Sequence, residues 1–201
     1  MSSVTKLVSY DLAWGQRVIE EIVREVQKHG IRVHLRLPAS IDEDLGRMSH
    51  STIEVVMDPV ETTVAPFTLC HLFGHMVQFT TVDRYKHLID PVSQAPPIFL
   101  SEEFWQEFYA YEREAFGYGA CLLENAVPAN DVVRSRYANF MKVDFDHFRE
   151  YVSTGKRLNR TEYRAKLLDR YVSHPRAAPI EPLSISGVNW PRLASVEATI
   201  Y

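Results

Sequence analysis

Apolar residues along the first thirty positions recur at the spacing of a helix. Leu12, Ile19, Ile22, Val23 and Val26 share one face between about Asp11 and His29, and Gly30 follows where a left-handed C-cap is wanted. The pattern then switches to alternation. Ile31, Val33, Leu35 and Leu37 interleave with Arg32, His34 and Arg36 up to Pro38, which predicts a half-buried strand with a basic outer face. A polar stretch through Gly46 leads to a second strand near residues 52–57, and the two strands predict a small, mostly antiparallel sheet. Pro66 suits the first turn of a strongly apolar helix reaching about Thr80. Residues 81–101, with Asp90-Pro91 and Pro96-Pro97, read as a long loop. Ser101 is a natural N-cap for a helix from Glu102 to about Glu124, with Phe104, Phe108, Tyr111, Ala115, Tyr118 and Leu122 on one seam. Two more amphipathic helices are predicted at about Asn130–Ser153 and Thr161–Ser173, separated by Gly155. Pro175, Pro179, Pro182 and Pro191 then punctuate a tail with no helical period. The expectation is an α+β fold with a main domain over 1–127, a helical extension over 128–173 and a tail over 174–201.

Composition narrows the class. A chain of 201 residues with 46% hydrophobic content can bury a core of its own. No run approaches the roughly 18 apolar residues of a membrane span, and no signal peptide opens the chain, so a cytoplasmic protein is expected. Cys70 and Cys121 are far apart and form no CxxC pattern, which points to core thiols rather than a disulfide framework or a zinc knuckle. The net charge of −4 hides an asymmetry. Residues 1–133 hold 10 Lys/Arg against 19 Asp/Glu, whereas residues 134–176 hold 11 against 5. An exposed basic face with Arg157, Arg160, Arg164 and Arg170 is expected there, with Leu167, Leu168, Tyr171 and Val172 docking the last helix. Such a face suits nucleic acid or an acidic partner, or else simply complements the acidic body.

The candidate chemistry lies in His71-Leu72-Phe73-Gly74-His75. Histidines four residues apart on a helix share a face and can grip one metal ion. A zinc hydrolase of the HExxH kind needs a carboxylate directly after the first histidine, to take a proton from metal-bound water; here that residue is Leu72. Glu112 is the best third ligand. It flanks the seam of its helix, and Ala115 and Gly119, three and seven residues on, let a neighbouring helix approach closely; Gly74 helps from the other side. Glu114 sits about 200° round the helix from Glu112, so the two cannot both face one ion. A histidine pair alone fits either a metal site or a hydrogen-bonded core, and the close-packing carboxylate helix favours the metal.

On these residues the chain resembles the ImmA/IrrE-type metallopeptidases. Phe67-Thr-Leu-Cys-His-Leu-Phe-Gly-His75 is similar to that family's T-L-x-H-E-x-G-H helix, and Glu112-Arg-Glu-Ala-Phe-Gly-Tyr-Gly-Ala-Cys-Leu-Leu123 to its E-x-E-A-N-x-F-A-x-x-L-L helix. The element order from residue 10 to about 125 agrees as well. The resemblance implies a zincin-like fold, zinc held by His71, His75 and Glu112, and cleavage of a regulator such as a helix-turn-helix repressor. Leu72 in place of the catalytic glutamate and Phe116 in place of asparagine depart from the pattern.

Three readings follow, in order. The first is a degenerate peptidase retained as a binding or regulatory module for a protein partner such as a transcriptional regulator, with Trp190 in the tail either anchoring that partner or folding back onto its own domain. The second is an active zinc peptidase with a substitute base drawn from Glu61, Asp83, Glu103 or Glu107, with Tyr85 and His87 as hydrogen-bond donors to an oxyanion. The third is a non-haem iron enzyme, in which two histidines and a carboxylate hold Fe2+ and Leu72 is irrelevant.

Overall fold

The computed structural model describes residues 3–40, 44–49, 51–57, 64–80, 84–127, 131–188, 190 and 197–198. Among the described residues it is an α+β protein of mostly helical content, with six helices and a small mixed sheet. The helices are α1 (Ser3–Gln27), α2 (Val64–Phe79), α3 (Lys86–Val92), α4 (Glu102–Ala126), α5 (Asp131–Thr154) and α6 (Arg160–Ser173). The strands are β1 (Arg32–Arg36), β2 (Gly46–Ser49), β3 (Thr52–Val56) and the short β4 (Glu197–Ala198), in the order β1-β3-β2-β4.

The sheet corrects the expected pairing. β1 and β3, the two strands evident in the sequence, run parallel with Val33 opposite Ile53 and Leu35 opposite Val55. The antiparallel partner of β3 is β2, with Met48 opposite Ile53. The chain passes from β1 beyond the place of β3, forms β2 and turns back between them. Glu54 ties the three strands together, its carboxylate meeting Arg36 of β1 and, at 3.1 Å, Arg47 of β2.

Helix α2 is the centre of the molecule. Every one of its residues is buried, which is why it has no polar face and reads as a nearly continuous apolar run. α1, α4, α5 and the β2–β3 hairpin pack around it, and one cluster of buried side chains runs from Val18 and Ile22 through Phe67 and Phe73 to Tyr137, Phe140 and Leu167. A second cluster of Tyr85, Trp105, Phe108, Tyr111 and Phe145 lies under α3. α3 falls inside the segment expected to be loop: Tyr85 and Leu88 give it a buried side, and Pro91, in its last turn, lacks the N–H that would bond the His87 carbonyl, so the helix ends one residue later.

Helix ends follow sequence cues. Gly30 has φ 77°, as a left-handed cap requires. Ser101 accepts from the Phe104 N–H at 3.2 Å, and Asn159 and Glu162 close a capping box at the start of α6.

The tail lies along the domain. Asn139 donates to the His174 carbonyl at 2.7 Å, Ser135 to that of Pro175 at 3.1 Å, and the Leu183 N–H to the Gly117 carbonyl at 2.9 Å. Trp190 packs on His29 and Phe73, with ring centroids 4.6 and 5.5 Å away, so it folds back onto its own domain. No helix among the described residues is long and apolar enough to cross a membrane.

The basic segment is largely self-complemented, which corrects the expected outward face. Arg157 pairs with Asp44, Arg149 with Glu102 at 2.5 Å, Arg134 with Glu124 at 2.8 Å and Lys166 with Glu150 at 2.9 Å. Arg157, Arg160, Arg164 and Arg170 are all half-buried. Of the four residues expected to dock α6, only Leu167 is deeply buried, with Tyr163 beside it; Val172 remains 81% exposed.

Candidate metal centre

The site is made by the crossing of α2 and α4, and that crossing depends on small residues. A Cβ placed on Gly74 would lie 1.9 Å from the Ala115 carbonyl oxygen, and one on Gly119 would lie 2.5 Å from that of Cys70. Only glycine permits this approach. It brings Glu112, a little over one turn before Gly117 on α4, over the histidine face of α2. The close packing expected from Gly74, Ala115 and Gly119 is thus present in the structure.

The three candidate ligands meet at one point. His71 Nε2 lies 2.9 Å from Glu112 Oε2, His75 Nε2 lies 3.3 Å from the same oxygen, and the two Nε2 atoms are 2.7 Å apart. Ligands about 2.0–2.1 Å from a tetrahedral ion stand roughly 3.3 Å apart, so a modest spreading of this triangle would seat one ion among all three. Among the described residues, His71, His75 and Glu112 are the group that could hold a metal ion.

Neighbouring residues settle which nitrogen of each ring faces inward. His71 Nδ1 lies 3.1 Å from Asp144 Oδ2 on α5, and His75 Nδ1 lies 2.9 Å from Gln78 Oε1. Gln78 is oriented in turn by donating to the Tyr111 carbonyl at 2.8 Å. With both Nδ1–H groups donating outward, both Nε2 lone pairs point at the Glu112 carboxylate. Three lone-pair donors so close repel one another unless a cation, a proton or a metal ion, lies among them. The pKa directions express the same pull. Burial by itself would lower that of His71, but Asp144 and Glu112 outweigh it and push it up; burial would raise that of Glu112, but His75 and His71 hold it low.

The surroundings are closed and aromatic. His71 and His75 are 3% and 2% exposed. Phe116 stacks on the His71 ring at 4.0 Å, and Tyr111 lies 5.2 Å from that of His75. Leu72 is 1% exposed and lies against β2, where a Cβ on Gly46 would stand 2.8 Å from its Cδ1. Among the described residues, the pocket that touches both His71 and Leu72 has a volume of about 20 Å³, room for one or two water molecules.

The other candidates go elsewhere. Glu114 is held by Tyr85 and, at 3.2 Å, by Tyr118, with Arg84 at 3.5 Å, so it takes no part in the ligand triangle. Tyr85 spends its hydroxyl on that carboxylate, and His87 pairs with Glu107 at 2.8 Å on the exposed surface. Glu103 is exposed at the start of α4. Glu61 and Asp83 lie outside the described residues. Cys70 is buried in the core, which pushes its thiol pKa far up, and neither it nor Cys121 forms a disulfide.

Sequence reasoning missed Asp144, Gln78 and Tyr163, whose hydroxyl donates to Asp144 Oδ1 at 3.1 Å. One signal was present. Asp144 follows Phe140 by four residues, so it places a carboxylate on the apolar face of α5.

The chain matches no family model, and no curated protein or solved structure is significantly similar to it.

Proposed function

We propose that this chain is a zinc-binding protein of zincin-like, ImmA/IrrE-like descent whose peptidase site has become a closed metal centre, serving as a binding or regulatory module for a protein partner. The carrying observation is the enclosure of the three converging ligands. His71, His75 and Glu112 are oriented as a metal needs, yet Phe116 and Tyr111 cover the rings and Leu72 occupies the place of a catalytic base. Two neutral imidazoles and one carboxylate suit zinc. A bound zinc would supply Lewis acidity and a cross-link between α2 and α4. This chain's own residues favour the second role. Asp144 and Gln78 fix the imidazoles, the glycines hold the two helices together, and no carboxylate stands free beside the site among the described residues. Asp144, the nearest, is already engaged by His71 and Tyr163. A positioned base typically contributes on the order of 10²–10⁴-fold to such a hydrolysis, so the reading excludes efficient proteolysis.

The test is elemental analysis of the purified protein together with a protease assay. About one zinc per chain is expected, lost in His71→Ala, with no chelator-sensitive cleavage of casein. Leu72→Glu should lower the melting temperature without creating activity, because it buries a carboxylate among apolar neighbours. Chelator-sensitive cleavage by the wild type that disappears in His71→Ala would overturn the proposal.

A further inference from the structure

A cavity of about 30 Å³ lies on the far side of Asp144 from the metal centre, where the segment before β2 meets α5 and α6. Its polar walls are Asp44, Asp144, His147, Arg157, Arg160 and Tyr163. They are unequally satisfied. Asp44 is ion-paired with Arg157, and Asp144 is engaged by His71 and by Tyr163. Among the described residues, Arg160 has no such partner. Its Nε and Nη1 are shielded from solvent without a hydrogen bond, and so is Nδ1 of His147.

Asp44 Oδ1 also lacks a hydrogen bond but lies against the Arg157 guanidinium, so the orphaned groups left without a charge partner are those that can donate. A guanidinium does not shed its proton, so taking it out of water is costly unless a counter-charge meets it. His147 can offer Nδ1–H to the same visitor. Both carboxylates on the wall already have partners, which leaves Arg160 as the charge without one among the described residues. The volume sets the size of the guest. About 30 Å³ holds two or three water-sized groups, which matches the three heavy atoms of a carboxylate, and a planar carboxylate is the shape a guanidinium pairs with best.

We propose that this cavity binds the carboxylate of a small organic acid, with Arg160 as counter-ion and His147 as a second donor. The site is separate from the metal ligands and does not depend on the metal reading, so it can be tested with or without zinc.

The experiment is thermal unfolding of the full chain, as purified and again after chelation, in sodium acetate against sodium chloride and sodium phosphate at equal ionic strength. With acetate at about 100 times its Kd, the melting temperature should rise by about 5–10 °C over chloride in both preparations. In Arg160→Gln the acetate shift should vanish, while the melting temperature in chloride stays level or rises, because an unpaired charge has been removed. If that variant fails to fold, the wild type decides: the assigned Arg160 Nε–H resonance should move saturably with acetate. Equal effects of acetate and chloride, a shift confined to phosphate, an acetate effect surviving in Arg160→Gln or an unmoved Nε–H resonance would each overturn the proposal.

Discussion

Replacing Gly74 by alanine should cost both stability and metal binding, although alanine is the better helix former by roughly 1 kcal/mol. The new Cβ would stand 1.9 Å from the Ala115 carbonyl oxygen, 2.6 Å from its carbonyl carbon and 3.0 Å from its Cα. These are backbone atoms with no rotamer to change, so α2 and α4 must part by about 1 Å at the crossing. Overpacking a core costs typically 1–3 kcal/mol, and a backbone obstacle puts this case at the upper end. Subtracting the propensity gain leaves a loss of about 2 kcal/mol, or about 4–8 °C in melting temperature for a chain of this size. Glu112 rides on the same stretch of α4. Since a working site tolerates displacements of only about 0.5 Å, zinc affinity should fall at least tenfold, read by competition with a chromophoric chelator. Gly117→Ala is the control. Its nearest obstacles are Leu183 Cδ1 and Cγ, both 2.8 Å from the new Cβ, and the Glu181 carbonyl at 3.3 Å, which belong to the tail and not to α2, so zinc affinity should be unchanged. If Gly74→Ala melts and binds zinc like the wild type, or if both variants behave alike, the crossing is not what places Glu112.

Two further outcomes are expected. Asp144→Asn keeps the shape but no longer holds His71 Nδ1–H with a charge, so zinc affinity should drop about 10–100-fold while the circular dichroism spectrum is retained; Tyr163→Phe, one bond further out, should do less. Glu54 has its pKa held below the ordinary value by its hydrogen bond to Arg36, against burial, with help from Arg47. It therefore contributes stability above its unfolded pKa, and that contribution is lost as pH falls through the lower folded one. Denaturant titrations should show a shallower acid limb in Glu54→Gln than in the wild type, and identical limbs would refute the assignment.

What the sequence disclosed was what a single element carries within itself. The histidine face of α2, Glu112 beside Ala115 and Gly119, the cap at Ser101 and the left-handed Gly30 are all matters of spacing along one helix or at its end. What it concealed was partnership. Alternation in β1 and β3 tells which side chains share a face, but not whether the neighbouring strand runs parallel. β2 was invisible because Gly46, Arg47, Met48 and Ser49 contain only one large apolar residue, Met48, and the hairpin exists because β3 offers it an edge. α3 was masked by Pro91. Asp144 is 73 residues from His71, and no period links them. The arginines of the C-terminal helices read as a charged surface until Asp44, Glu102 and Glu124 came to meet them from distant segments.

Leu72, Phe116 and α5 together enclose the candidate metal centre, although they lie on three helices. A base at position 72 would need water around its carboxylate and a route for substrate to the ion. Leu72 instead packs against Gly46, and a Cβ at residue 46 would collide both with it and, at 2.7 Å, with the Glu54 carbonyl, so strand and helix have closed the space such a base would occupy. Phe116 stacks on the His71 ring, sealing the site from α4. α5 then places Asp144 against the remaining ring nitrogen, binding the C-terminal helices to the site. Each feature suits a metal that holds helices together, and each would hinder one that must admit a peptide. A carboxylate at position 72 alone therefore leaves two walls standing, which is why the expected result of Leu72→Glu is a weaker protein and not a protease.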